Sequence, residues 1–186
     1  MKKNKLILVL ITLTIVIIGV GSVLNVKKYT TKGYATKVGF PKLSFNYFSS
    51  WKVVEDASLE KSFDKIKITK NNYVISIDQL LLVGGGYCQF NDSPNLPGDN
   101  TDLRMVTYKE MDSSIGYLRY FRFPSENGTP TNYYGFCMKD QKRSTTGKNV
   151  YRPPDAAYVS LDVPDTQNTL LFQEALNIIK NIRKVE

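Results

Sequence analysis

The strongest constraint on this chain is residues 6–24, LILVLITLTIVIIGVGSVL, a run of 19 residues without a charge. A helix of that length extends about 28 Å, close to the hydrocarbon thickness of a bilayer. Lys2, Lys3 and Lys5 precede it, and Lys27 and Lys28 come after it. No second run of this kind occurs, so the sequence predicts at most one membrane crossing. A short basic N-terminus leading at once into an apolar run opens signal peptides and signal anchors alike, and both export the chain downstream of them. Gly19, Gly21 and Ser22 offer small residues for processing. The run nevertheless exceeds the roughly 7–15 residues typical of a cleaved signal, which favours an uncleaved anchor. Lysines at both ends leave the positive-inside rule undecided. No cysteine lies just after the run, so lipidation at its end is not available. The expectation is a single-pass cell-membrane protein that contacts lipid through residues 6–24 and carries its C-terminal domain outside the cytoplasm. If the segment is cleaved, the domain is secreted.

Charge is unevenly placed along the chain. Residues 1–37 hold seven lysines and no acid, against a net charge of +8 for the whole chain. The remainder is therefore nearly neutral. Lysines beside an anionic lipid surface are favourable, whereas a neutral domain has little with which to neutralise nucleic-acid phosphates. Nucleic acid is not an expected partner. Residues 25–41, NVKKYTTKGYATKVGFP, are basic and poor in branched apolar side chains, and read as a stalk. The remaining residues, 42–186, suffice for one domain with its own core.

Within that domain, strand-like segments succeed one another. LSFNYF (43–48) alternates, and Trp51, Val53 and Val54 open a second extended stretch. KIKIT (65–69) alternates at period two, Asn71-Asn72 forms a plausible two-residue turn, and YVISIDQLLLV (73–83) is the partner strand. LRMVTYKEM (103–111), IGYLRYFRF (115–123), TNYYGFCMK (131–139) and AAYVSLDV (156–163) continue the series. Pro164 with Asp165 or Thr166 fits a helix start, after which Leu171, Phe172, Ala175, Leu176, Ile179 and Ile182 form one apolar stripe. The predicted class is α+β: an N-terminal transmembrane helix, then a mostly antiparallel sheet of six or seven strands with the C-terminal amphipathic helix packed on it.

An even cysteine count in an exported domain reads first as a disulfide, here Cys88 with Cys137. Two separate buried thiols are the other reading.

The order of these elements carries a resemblance. An aromatic strand runs into a turn and a tryptophan (LSFNYFSSW, 43–51), a hairpin comes next (KIKITKNNYVISI, 65–77), and a last strand leads directly into a terminal amphipathic helix (156–183). This pattern resembles the Mog1/PsbP-like α-β-α sandwich superfamily, especially its exported bacterial members. Many of those place a Pro-Ser/Asp-x-Trp turn after the opening strand. Phe48-Ser49-Ser50-Trp51 lacks the proline. The resemblance implies a fold. Its members include photosystem accessory proteins and small-GTPase-binding factors, and it implies no catalytic residues.

The chain contains no histidine, which removes Ser-His-Asp triads, Cys-His nucleophiles and nearly all catalytic zinc sites. Gly84-Gly85-Gly86 lacks the Lys-Ser/Thr of a phosphate loop and reads as a flexible turn before Cys88. Asp92, Asp99, Asn100 and Asp102 offer oxygen ligands for calcium, but without EF-hand spacing, and a solvated acidic loop is the simpler reading. Asp78 and Asp162 sit on alternating strands and are expected to face solvent. Asn127-Gly128-Thr129 fits a glycosylation acceptor and decides nothing. No catalytic, metal or cofactor residue is therefore assigned.

Aromatic residues give the one positive lead. Tyr117, Tyr120, Phe121, Phe123, Tyr133, Tyr134 and Phe136 fall in two adjacent strands and occupy both faces. One face must be core. The other is either covered by a further layer or forms a partner surface of Tyr117, Arg119, Phe121, Arg122, Phe123 and Tyr133, residue types enriched at binding hot spots. The expected function is a membrane-anchored binding or accessory domain for an envelope protein, glycan or small ligand, without catalysis or cofactor. The alternative is a histidine-free envelope hydrolase or transferase using Ser, Asp or Lys. A pilin-like subunit fits poorly, because the Gly-Phe start and the acid within the apolar run are missing.

Overall fold

A computed structural model describes residues 25–56, 64–79, 88, 90–94, 107–124, 130–142, 144–145, 148–152, 154 and 157–185. The predicted transmembrane helix, the Gly84-Gly85-Gly86 turn and Asn127-Gly128-Thr129 lie outside these residues. Among the described residues, no helix is long and apolar enough to cross a membrane.

The domain is α+β and rich in antiparallel sheet. A three-stranded sheet places β2 (Lys42–Phe48) between β1 (Val26–Thr30) and β11 (Arg183–Val185). A larger sheet contains β3 (Lys52–Asp56), β4 (Lys65–Lys70), β5 (Tyr73–Asp78), β10 (Tyr158–Asp162), β8 (Pro130–Lys139), β7 (Gly116–Pro124) and β6 (Lys109–Ser113) in that spatial order. The two-residue β9 (Tyr151–Arg152) pairs with the end of β8. The sheets thus hold more strands than the six or seven expected, because short segments such as β1, β9 and β11 carry almost no apolar alternation of their own.

Residues 25–41 are a correction to the stalk expectation. β1 pairs with β2 over its whole length, and a short 3-10 helix comes after it at Tyr34–Val38. Side chains from the larger sheet secure this segment. The fully buried Asp64 accepts the backbone N–H groups of Tyr34 (2.9 Å) and Ala35 (3.1 Å). Glu55 accepts the Tyr29 hydroxyl and the Lys32 N–H. Burial raises the Glu55 pKa despite the Tyr29 bond, and its contact with Asp64 raises it further. Two acids provide the acceptors that this polar segment lacks locally, and composition alone does not reveal them.

The β4–β5 hairpin turns where expected. Asn71 and Asn72 both adopt positive φ, 47° and 65°, which the twist of a two-residue hairpin requires and asparagine tolerates. Ile66, Ile68, Tyr73, Ile75, Ile77, Val159, Leu161, Leu118, Tyr120, Tyr134 and Phe136 line one face of the larger sheet. The terminal helix α1 (Thr169–Lys180) covers that face with Phe172, Ala175, Leu176 and Ile179. Its cap is Asn168, whose side chain accepts the Leu171 N–H at 3.1 Å. The helix therefore starts three or four residues later than Asp165 or Thr166 would place it. The Tyr73 hydroxyl explains the shift: it accepts the Asn168 N–H (2.7 Å) and donates to the Asn168 carbonyl (3.0 Å), which fixes the chain outside the helix at that point.

Candidate functional site: the second face of the larger sheet

Alternation decides which side chains meet on the face away from α1. Tyr117, Arg119, Phe121 and Phe123 of β7 share it with Tyr133, Gly135 and Cys137 of β8, with Arg119 directly opposite Cys137 and Phe121 opposite Gly135. Tyr158 and Ser160 of β10, and Ser76 and Asp78 of β5, continue the same face. Arg122 does not belong to it. Its Nε donates to the Tyr134 hydroxyl (2.6 Å) and its guanidinium reaches Gln167 (3.2 Å), beside the start of α1. The expected six-residue surface is therefore divided between two faces. This was legible in the sequence, because position 122 is out of phase with 117, 119, 121 and 123.

One half of the face is covered. Cys88 is disulfide-bonded to Cys137, and its N–H donates to the Tyr151 carbonyl at 2.9 Å. Two residues further, Phe90 is fully buried edge-on against Phe121 (5.6 Å), Tyr151 (5.2 Å) and Tyr108 (5.0 Å). Asp92 then accepts two bonds from the Arg119 guanidinium, at 2.6 and 2.7 Å. Arg119 is only 3% exposed. Its third contact is Nε to Glu110 at 2.9 Å, and its guanidinium carbon lies 3.8 Å from the Tyr108 ring centre and 4.1 Å from that of Tyr151.

Arg119 and Phe121 are thus interior residues, which corrects their assignment to an open partner surface. A planar guanidinium suits this position because it can stack between rings and still form a two-pronged bond with a carboxylate. The bonds from Arg119 hold the Asp92 carboxyl below the usual carboxylate range. The Tyr117 hydroxyl bond, and after it Arg119, does the same for Glu110. In return the Glu110 carboxylate pushes the Tyr117 phenol up to about 12. Asp92 was a candidate calcium ligand. Both of its oxygens bond Arg119, and Asp99, Asn100 and Asp102 lie outside the described residues.

The other half presents half-buried aromatic rings. Phe123 packs against Phe121 (5.0 Å) and Tyr133 (5.2 Å). Tyr133 is hydrogen-bonded to Tyr158, and Tyr158 sits directly opposite Asp78 in the sheet. A Cβ at Gly135 would come within 2.7 Å of both the Phe121 and Phe123 rings, so glycine is what lets these rings lie down on the sheet. Asp78 ends the strip. It is half-buried rather than solvent-facing as expected, and its Oδ1 is buried with no hydrogen-bond partner among the described residues. Burial raises its pKa against the opposing pull of Lys65 and Lys67. Asp162 is exposed, as expected. Among the described residues, no group of three or more Cys, Asp or Glu side chains is placed to hold a metal ion.

The sequence reading missed Tyr158 and Asp78 as site residues, because each sits on a strand whose apolar alternation drew attention to the opposite face. Their mutual register, set by the β5–β10 pairing, was the missing information. No family model matches this chain, and no curated protein or solved structure matches it either.

Proposed function

We propose that this chain is a membrane-anchored, extracytoplasmic binding domain, and that its ligand lies on the Phe123–Tyr133–Tyr158 strip with Asp78 at one end. One observation carries the reading: contiguous half-exposed rings cross three strands and end at a carboxylate oxygen that has no hydrogen-bond partner among the described residues. Ring faces accept flat apolar groups, and an unpartnered carboxylate in a partly dry setting accepts hydrogen bonds from a donor. A saccharide offers both, with C–H faces and hydroxyl donors, and among the envelope protein, glycan and small ligand it is the class that fits this strip. The disulfide supports the export reading, since such bonds persist in oxidising compartments. The apolar run at 6–24 supports the anchor.

Kinship with the Mog1/PsbP-like superfamily is proposed at the level of fold only. Its support is the antiparallel sheet closed by an amphipathic terminal helix. The hydrolase or transferase alternative has no comparable support. Asp162, directly opposite Tyr133, is a second acid on this face, but it stands four residues along β10 from Tyr158, the partner of Asp78. At strand rise that is about 13 Å, beyond the roughly 5–9.5 Å that two-carboxylate chemistry needs.

The test is a titration of the protein with a panel of envelope oligosaccharides, monitored by heteronuclear NMR. Binding should shift the Phe123, Tyr133 and Tyr158 ring resonances. Tyr158→Ala and Asp78→Asn should each weaken it at least about tenfold, the equivalent of roughly 1.4 kcal/mol. Binding that leaves these rings unmoved, or no binding across the panel, counts against the proposal.

A further inference from the structure

We infer that the domain rests directly on an anionic lipid surface through the corner formed by Asn25–Val26, the Ser49-Ser50 turn and the first turn of α1. This rests on the anchor reading of residues 6–24. The apolar run ends at Leu24, and the very next residue is already part of the fold. The Asn25 carbonyl accepts the Ser49 N–H at 2.6 Å, and the Ser49 hydroxyl donates to the Asn25 side chain at 3.3 Å. Val26 then pairs with Phe48. An extended chain gains only about 3.5 Å per residue. An anchor ending at Leu24 therefore holds Val26 within two residues of the lipid, and no stalk separates the two.

The surface at this corner suits that position. From the Ser49-Ser50 turn the chain reaches Trp51, whose indole N–H donates to Glu174 of α1 at 2.8 Å. Lys70 bonds the same oxygen at 2.8 Å. Leu170 lies one turn before Glu174 on the same side of the helix, and it is 74% exposed. Val26 is 47% exposed. These are the two most exposed large apolar side chains among the described residues, and both belong to this corner. Lys27, Lys28 and Lys52 are exposed beside them. Exposed apolar residues ringed by lysines are favoured where acyl chains meet anionic headgroups. Of the acids at this end, Glu174 is neutralised by Lys70, and the exposed Asp162 and Asp165 lie on the β10 side, so the domain leans toward β1 and β3. That tilt leaves the Tyr133–Tyr158 face turned away from the corner in contact.

The experiment uses the full chain in vesicles of phosphatidylglycerol and phosphatidylcholine containing a nickel-chelating headgroup lipid. A nitroxide is attached at Ser50→Cys or at Ser114→Cys, with the native disulfide intact. Ser114 is exposed in the turn before β7, and its N–H donates to the Lys180 carbonyl at the far end of α1. The Ser50 label should relax severalfold faster than the Ser114 label. Equal relaxation in protein that co-floats with the vesicles overturns the inference and leaves the anchor standing. Protein that does not co-float overturns both. A Gly/Ser spacer of about 12 residues between Leu24 and Asn25 gives roughly 20 Å of mean reach. The difference should survive this spacer and disappear when Leu170→Glu, Lys27→Gln and Lys28→Gln are added. Loss with the spacer alone overturns docking.

Discussion

Arg119 shows how much one side chain can organise. It touches three rings and two carboxylates and is itself nearly inaccessible. Arg119→Met keeps much of the volume but leaves Asp92 and Glu110 without their common partner. We expect a loss of about 2 kcal/mol in urea unfolding, and Arg119→Lys should recover only part of it, because an ammonium neither stacks nor forks. The pH dependence comes from the depressed pKa values of Asp92 and Glu110. Groups held low in the folded state contribute stability above their unfolded pKa, near 4, and lose it as pH falls through the folded value. The gap between wild type and Arg119→Met should therefore be widest at neutral pH and narrow in acid. Asp78 behaves in the opposite sense. Its raised pKa means that stability is lost as pH rises from the unfolded value through the folded one. Asp78→Asn should therefore stabilise the domain at neutral pH by about 1 kcal/mol, with the advantage vanishing on acidification. Thermal melts across pH check both signs.

Elements with strong periodicity were legible in the sequence, and those held by distant polar partners were not. The β4–β5 hairpin and the apolar stripe of α1 come from spacing alone. β1 does not, because its pairing with β2 and its tether to Glu55 depend on residues well separated along the chain. The covered face behaves similarly. Alternation put aromatics on both sides of β7 and β8, but whether a layer lay above them depended on where Cys88, Phe90 and Asp92 land. The disulfide expectation proved correct. It ties that layer to β8, and its removal has a measurable consequence. Cys88→Ser with Cys137→Ser should cost up to about 4 kcal/mol on the chain-entropy account, and less if the unfolded chain retains structure. Protection of the backbone N–H at position 88, which bonds Tyr151, should fall furthest in hydrogen exchange. Gly135→Ala tests the same face from beneath. The added methyl meets the Phe121 and Phe123 rings, and overpacking of this kind costs about 1–3 kcal/mol.

At the scale of the whole molecule, the small sheet joins the two ends of the domain. β11 lies along β2 opposite β1, with Arg183 across from Ser44 and its Nε bonded to the Ser44 hydroxyl at 3.0 Å. Removing residues 183–186 should expose the backbone groups of β2 as a free edge, a template for pairing with other chains. We expect the truncated protein to self-associate in sedimentation measurements while α1 keeps its helical circular dichroism. The same arrangement bears on biogenesis. A chain made from its N-terminus delivers β2 early, yet one flank of that strand stays open until β11 emerges, Arg183 coming 139 residues after its partner Ser44. Closure of the small sheet therefore comes long after β2 itself is made, and any cellular factor that shields a nascent strand has that interval in which to act at β2.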